Sequence, residues 1–150
     1  MARRRRNDIS ESIHHVIQRG KNRSYIYEGT RDKREFLYIL SHALDIHEAA
    51  LLQYVLMDNH YQLLAWVGQA PLARVLWYLN RRYTLYYNRR YNRIGTIYGG
   101  RYKSYLLSER EKLYSTIRYI VRNPVKAVWW PLPSNTAGAG TRLCSRERAR

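Results

Sequence analysis

Residues 50–67 read ALLQYVLMDNHYQLLAWV. Two apolar runs of strand length flank Asp58-Asn59, a pair whose short side chains bond their own backbone and favour tight turns. The pattern predicts an antiparallel hairpin whose second strand opens near His60. Side chains at i and i+2 of a strand share a face, so His60 and Gln62 project together and Tyr61 points away. Two potential metal ligands therefore share one surface, although a lone strand histidine is as readily a satisfied polar residue of the sheet.

The flanks of the hairpin complete the pattern. Upstream, SIHHVIQRG (12–20) reads as a strand with Ile13, His15 and Ile17 on one face, stopped by Gly20 and a polar KNRS turn. Tyr25 to Tyr27 are read as an extension of the sheet edge. From Thr30, a candidate N-cap, Asp32 falls in the first turn, and Phe36, Leu40, Ala43 and Leu44 follow at helical spacing to about His47. Downstream of the GQAPL break, Leu72, Leu76, Leu79, Tyr83 and Tyr86 step by four and three, which predicts a second amphipathic helix. Glycines at 95, 99 and 100 lead into a fourth strand. Ser108 and Glu111 have capping-box spacing, and Pro124 ends a third helix over about Glu109 to Arg122. The order β-α-β-β-α-β-α implies an α+β chain with a ferredoxin-like (split βαβ) antiparallel sheet and helices on one face. Residues 1–10 form a basic arm, residues 11–130 one domain, and residues 131–150 lack periodicity and are expected to be disordered.

Charge narrows the partner. Among 150 residues, 27 Lys+Arg stand against 11 Asp+Glu, a formal charge of +16 that self-repels unless a polyanion meets it. Nucleic acid is the polyanion this composition fits best, because fifteen tyrosines interleave with arginines, and rings stack bases while guanidiniums hold phosphates. Arg81, Arg82, Arg89, Arg90 and Arg93, with Tyr83, Tyr87 and Tyr91, make a basic aromatic helix and loop; Arg101 and Lys103 lie beside the Gly99-Gly100 pair, where glycines permit close approach to a strand. The single cysteine, Cys144, excludes an intrachain disulfide framework and a Cys-rich zinc site, and a reducing cytoplasm is the expected setting. No apolar run reaches the ~18 residues of a membrane span.

Ser115, Tyr119 and Asn123 recur every four residues on the third helix, off the Leu113, Ile117, Ile120 core stripe. An amphipathic border tyrosine would sit the same way. The ordered segments QRGKNRSYIY, YVLMDNHYQLL, YTLYYNRRYNRIGTIYGGRYKS and IRYIVRNPVKA resemble the HUH single-tyrosine transposases, in particular the REP-associated tyrosine transposase branch, over about residues 11 to 130. The resemblance implies a ferredoxin-like strand transferase that nicks and rejoins single-stranded hairpin DNA through a 5′-phosphotyrosine link, working as a monomer or homodimer. It matches Tyr119 to the nucleophile, His60 to the first histidine of a His-hydrophobic-His metal pair, and Asn123 to a third ligand position. Arg118 and Arg122 flank Tyr119 in sequence.

This chain departs from the family pattern at Gln62, where a second histidine is expected. An amide oxygen suits Mg²⁺ or Mn²⁺ and is a poor substitute for imidazole toward zinc, so the implied cofactor is an oxygen-preferring divalent ion. Asp58 stands where the related pattern commonly has proline. It joins His60 and Gln62 if the strand already extends to it, and caps the hairpin if it belongs to the turn. A non-catalytic binder of single-stranded DNA or structured RNA is the alternative function.

Overall fold

A computed structural model describes residues 9–122. The basic arm up to residue 8, Asn123 and the tail expected at 131–150 lie outside the described residues. Strand β1 (Ser12–Arg19) is followed by helix α1 (Thr30–Ile46), the hairpin β2 (Ala49–Met57) and β3 (His60–Val67), helix α2 (Leu72–Tyr91), strand β4 (Lys103–Leu106) and helix α3 (Arg110–Arg122). The sheet order is β2-β3-β1-β4 with every neighbouring pair antiparallel. This is the ferredoxin-like α+β arrangement, with the hairpin turning at Asp58-Asn59 as its sequence requires.

Alternation sorts the strands into two faces. Val16, Tyr61, Leu63 and Val67 join Phe36, Leu40 and Leu44 of α1 and Leu72, Leu76 and Leu79 of α2 in the main core. Phe36, the only phenylalanine, anchors it, with ring centroids 4.9 Å from Tyr61, 5.2 Å from Tyr83 and 5.4 Å from Tyr27. The register shifts between Leu51 and Gln53. This bulge lets Leu51 and Tyr54 both enter the core although three residues apart.

The two helices of the βαββαβ unit thus cover one face, as expected. The third is an addition laid on the other. Leu113, Ile117 and Ile120, spaced four and three, bring one stripe of α3 onto Val55, Leu64, Ile13 and Met57.

Two local expectations are adjusted. Gly29, not Thr30, is the N-cap of α1, and Asp32 completes the cap by accepting from the Glu28 and Gly29 backbone N–H groups at 2.8 and 3.2 Å. The segment 25–27 is no sheet edge: the Ile26 and Tyr27 N–H groups both donate to the Asp58 carbonyl in the hairpin turn, at 2.7 and 3.2 Å. Gly20 is required by contact, because a Cβ there would lie 2.2 Å from the Ser24 carbonyl oxygen.

Candidate functional site

The hairpin places His60 and Gln62 at the start of β3, and the registers define what surrounds them. On their face, Arg19, His60 and Met57 form one cross-strand row. Lys103, Ile17, Gln62 and Val55 form the next, and Tyr105, His15, Leu64 and Gln53 the third. Directly paired residues of antiparallel strands project to the same side. This face is also the one on which α3 lies. Ile120, adjacent to Tyr119, is buried with Val55 and Leu64, and Met57 packs against that cluster; Val55 and Met57 are the strand partners of Gln62 and His60. The turn of α3 bearing Tyr119 is therefore anchored to the two rows that carry His60 and Gln62. Tyr119 itself is 58% exposed, and Ser115 and Arg118 are exposed with it.

His60 presents a ring nitrogen with a free lone pair. Its Nδ1 donates to Asn59 Oδ1 at 2.7 Å, which puts the proton on Nδ1 and the lone pair on Nε2. Burial, then the neighbouring Arg19, lowers its pKa below the ordinary histidine value, so the neutral ring is favoured. Gln62 is 3% exposed. Its Oε1 accepts from His15 Nε2 at 3.0 Å, and burial lowers the His15 pKa against the opposing effect of that bond. An amide oxygen has two lone pairs, so Gln62 keeps one for a further partner. An imidazole nitrogen in the ligating tautomer beside an amide oxygen fits an oxygen-preferring divalent ion by donor type. Among the described residues, no three His, Cys, Asp or Glu side chains gather to hold a metal.

Asp58 does not share this face. The strand ends at Met57, and the Asp58 carboxylate accepts from Lys33 Nζ of α1 at 2.9 Å, a part-buried ion pair that ties the turn to the helical layer.

The basic residues divide. Arg81, Arg82 and Arg89 are exposed on α2, and Arg93 is exposed beyond its end. Arg81 lies over Trp77, Arg82 over Tyr78 and Arg93 over Tyr87, at 5.2, 5.4 and 5.8 Å. Arg90 directs its Nε to Tyr91 Oη at 3.1 Å and to Asp32 at 3.3 Å. All of α2 lies on the sheet side opposite His60, where a groove of about 1040 Å³ between α1 and α2 is lined by Arg82, Arg89, Arg93, Tyr38 and His42. Arg101 is exposed in the loop before β4, and Lys103 is exposed on β4, on the His60 face.

Tyr83 and Tyr87, expected at the DNA interface, lie in the core instead. They are 0% and 1% exposed, and their hydroxyls donate to the Ile26 carbonyl and to Glu28. Rings so buried offer no face to a base; they belong to the core stripe of α2. The Gly99 approach is likewise internal, since a Cβ would sit 3.3 Å from the Gly20 carbonyl oxygen. His15 and Arg19 were missed as site residues. The signal lay in the alternation of β1, but only the β1–β3 register sets them beside Gln62 and His60.

The chain belongs to the family of IS200-like transposases, whose model matches residues 8–123. Its function is accordingly transposase-like and DNA-binding. A REP-associated tyrosine transposase solved bound to a REP hairpin superposes with a TM-score of 0.68 at 12% identity, over 83% of this chain and 73% of that one. A protein of Deinococcus radiodurans R1 assigned as a transposase gives 0.52 at 16% identity, over 79% and 97%. These two likenesses establish the fold. No curated protein matches the chain in sequence. No helix among the described residues is long and apolar enough to cross a membrane.

Proposed function

We propose that this chain nicks and rejoins single-stranded hairpin DNA in the cytoplasm, with Tyr119 as nucleophile. The observation that carries the reading is the packing of α3 on the sheet face of His60 and Gln62, through Ile120 and the strand partners of both residues. Tyr119 Oη would attack the scissile phosphorus and form a phosphotyrosyl ester with the 5′ end. The bond to the 3′ oxygen breaks, and that oxygen leaves as a hydroxyl after taking up a proton. The phenolic proton passes to solvent, which supplies the one taken up by the 3′ oxygen; a neutral phenol is a weak nucleophile, so the phosphate it attacks must be made more electrophilic. Arg19 and Lys103, on the same face, supply positive charge to the phosphate. His60 and Gln62 would hold Mg²⁺ or Mn²⁺, with Asn123 as third donor; bound there, the ion neutralises charge on the phosphate oxygens. The exposed arginines of α2 and the loops, with Arg101, hold more of the DNA backbone.

The family relation and a hairpin-bound structural neighbour support hairpin DNA as the substrate form. The test is incubation of labelled hairpin DNA bearing single-stranded flanks with Mg²⁺ or Mn²⁺, followed by a denaturing gel. A slow-migrating covalent adduct is expected from the native chain and none from Tyr119→Phe, with hairpin binding preserved in both. Cleavage retained by Tyr119→Phe would end this mechanism.

One observation favours a second reading. The Gln62 oxygen is already engaged by His15 in a buried pair, which suits a family member that holds DNA without cutting it. Binding with no adduct, in either metal, is the outcome that reading expects.

A further inference from the structure

The His60 face continues to the opposite edge of the sheet. Tyr105 and Lys103 of β4 stand in register with His15 and Ile17 of β1, which pair with Leu64 and Gln62 of β3. Arg19, Lys103 and Tyr105 therefore share one side of the sheet with His60. All three are exposed, Tyr105 to 52%. The inner side of its ring rests near the buried His15 imidazole, with centroids 6.1 Å apart and planes tilted by 35°. His15 is itself fixed by its bond to Gln62. The tyrosine is thus a flat surface supported on one side, with its outer side open. None of the four strands contains Asp or Glu, so a polyanion crossing this face meets no like charge from the sheet.

We infer that Tyr105 is a base-stacking subsite for the single-stranded flank of the DNA, with Lys103 and Arg19 contacting phosphates between it and His60. Four residues along the strands and two strand spacings across amount to about 16 Å from the His60 row to Tyr105, a span of a few nucleotides. Stacking is tolerant of base identity because every base has a π-face. The subsite therefore sets which phosphate reaches His60 by counting nucleotides rather than by reading sequence. This inference rests on the proposed DNA function for the identity of the strand, and not on the nicking step.

The experiment uses the full chain without added metal and hairpin oligonucleotides carrying 2-aminopurine at successive flank positions. Fluorescence quenching at one position is expected. It should be lost in Tyr105→Leu and retained in Tyr105→Phe, where the ring remains. Tyr105→Leu should weaken binding of the flanked hairpin about tenfold and leave the blunt hairpin unchanged. Circular dichroism establishes that each variant is folded. Quenching that survives Tyr105→Leu overturns the subsite, as does equal loss of flanked and blunt hairpin binding. Flank quenching together with an absent covalent adduct would instead retain the subsite and remove only the nicking reading.

Discussion

At residue 62 the proposed metal site turns on the difference between histidine and glutamine as donors. His60 combines partial burial, a donor bond from Nδ1 to Asn59 and a lone pair on Nε2, which suits the proposed ligand role. Gln62 offers a neutral oxygen of which one lone pair is taken by His15. Gln62→His is expected to tighten Mn²⁺ binding by about tenfold or more, since imidazole binds first-row transition ions better than an amide. Isothermal titration of the folded variant reads this directly. Unchanged affinity would show that position 62 is not a ligand. The pairing of His60 with Gln62 was legible in the two-residue period of a strand. The role of His15 was not, because it depends on which residue of a distant strand stands opposite. Asp58 shows the same limit in reverse: the turn pair was legible, but its ion pair with Lys33 belongs to the tertiary fold.

At the scale of the elements, Asp32 fastens the start of α1 to the end of α2. Its carboxylate accepts from the backbone at Glu28 and Gly29 and from the hydroxyls of Tyr86 and Tyr91 at 2.9 and 2.7 Å, with Arg90 at 3.3 Å. Asp32→Ala leaves several of these donors without a partner at a position 1% exposed. A loss of about 3 kcal/mol is expected from urea unfolding, and a loss below about 1 kcal/mol would show that the clamp is dispensable. Tyr83 and Tyr87 explain why the reading of α2 divided as it did. The steps of four and three from Leu72 to Tyr83 and Tyr86 correctly placed a helix, but a tyrosine on the inner stripe and one on the outer stripe look alike in sequence when arginines alternate with both.

The buried rings also set the alkaline limit of the fold. Burial raises the pKa of Tyr27, Tyr61, Tyr83 and Tyr98. Burial and the Glu28 bond raise Tyr87 to about 12. The folded protein keeps these protons where the unfolded chain, with tyrosines near 10, gives them up. Their contribution to stability is complete below about pH 10 and is lost as the pH climbs toward 12. Far-UV circular dichroism and phenolate absorbance recorded together should show unfolding and ionisation of the core tyrosines as one transition. Independent titration of all fifteen tyrosines near pH 10 with the fold intact would contradict the buried arrangement.

For the whole molecule, the distribution of charge matters more than its total. Arginines sit on the outer side of α2, and Arg19 and Lys103 sit across the sheet from them, so the +16 chain carries cations on both sides of its sheet. A duplex stem on one side and a single strand on the other would together neutralise more phosphates than either alone. With about six phosphates engaged, affinity for the flanked hairpin should fall by roughly 10³ between about 50 and 200 mM salt. The blunt stem should show a shallower slope, and Lys103→Ala should reduce the slope for the flanked hairpin by about one while leaving the stem slope unchanged. Fluorescence anisotropy across a salt series measures all three. Identical slopes for stem and flanked hairpin would mean that only one side of the sheet meets DNA, and the strip from Arg19 to Tyr105 would then lie outside the interface.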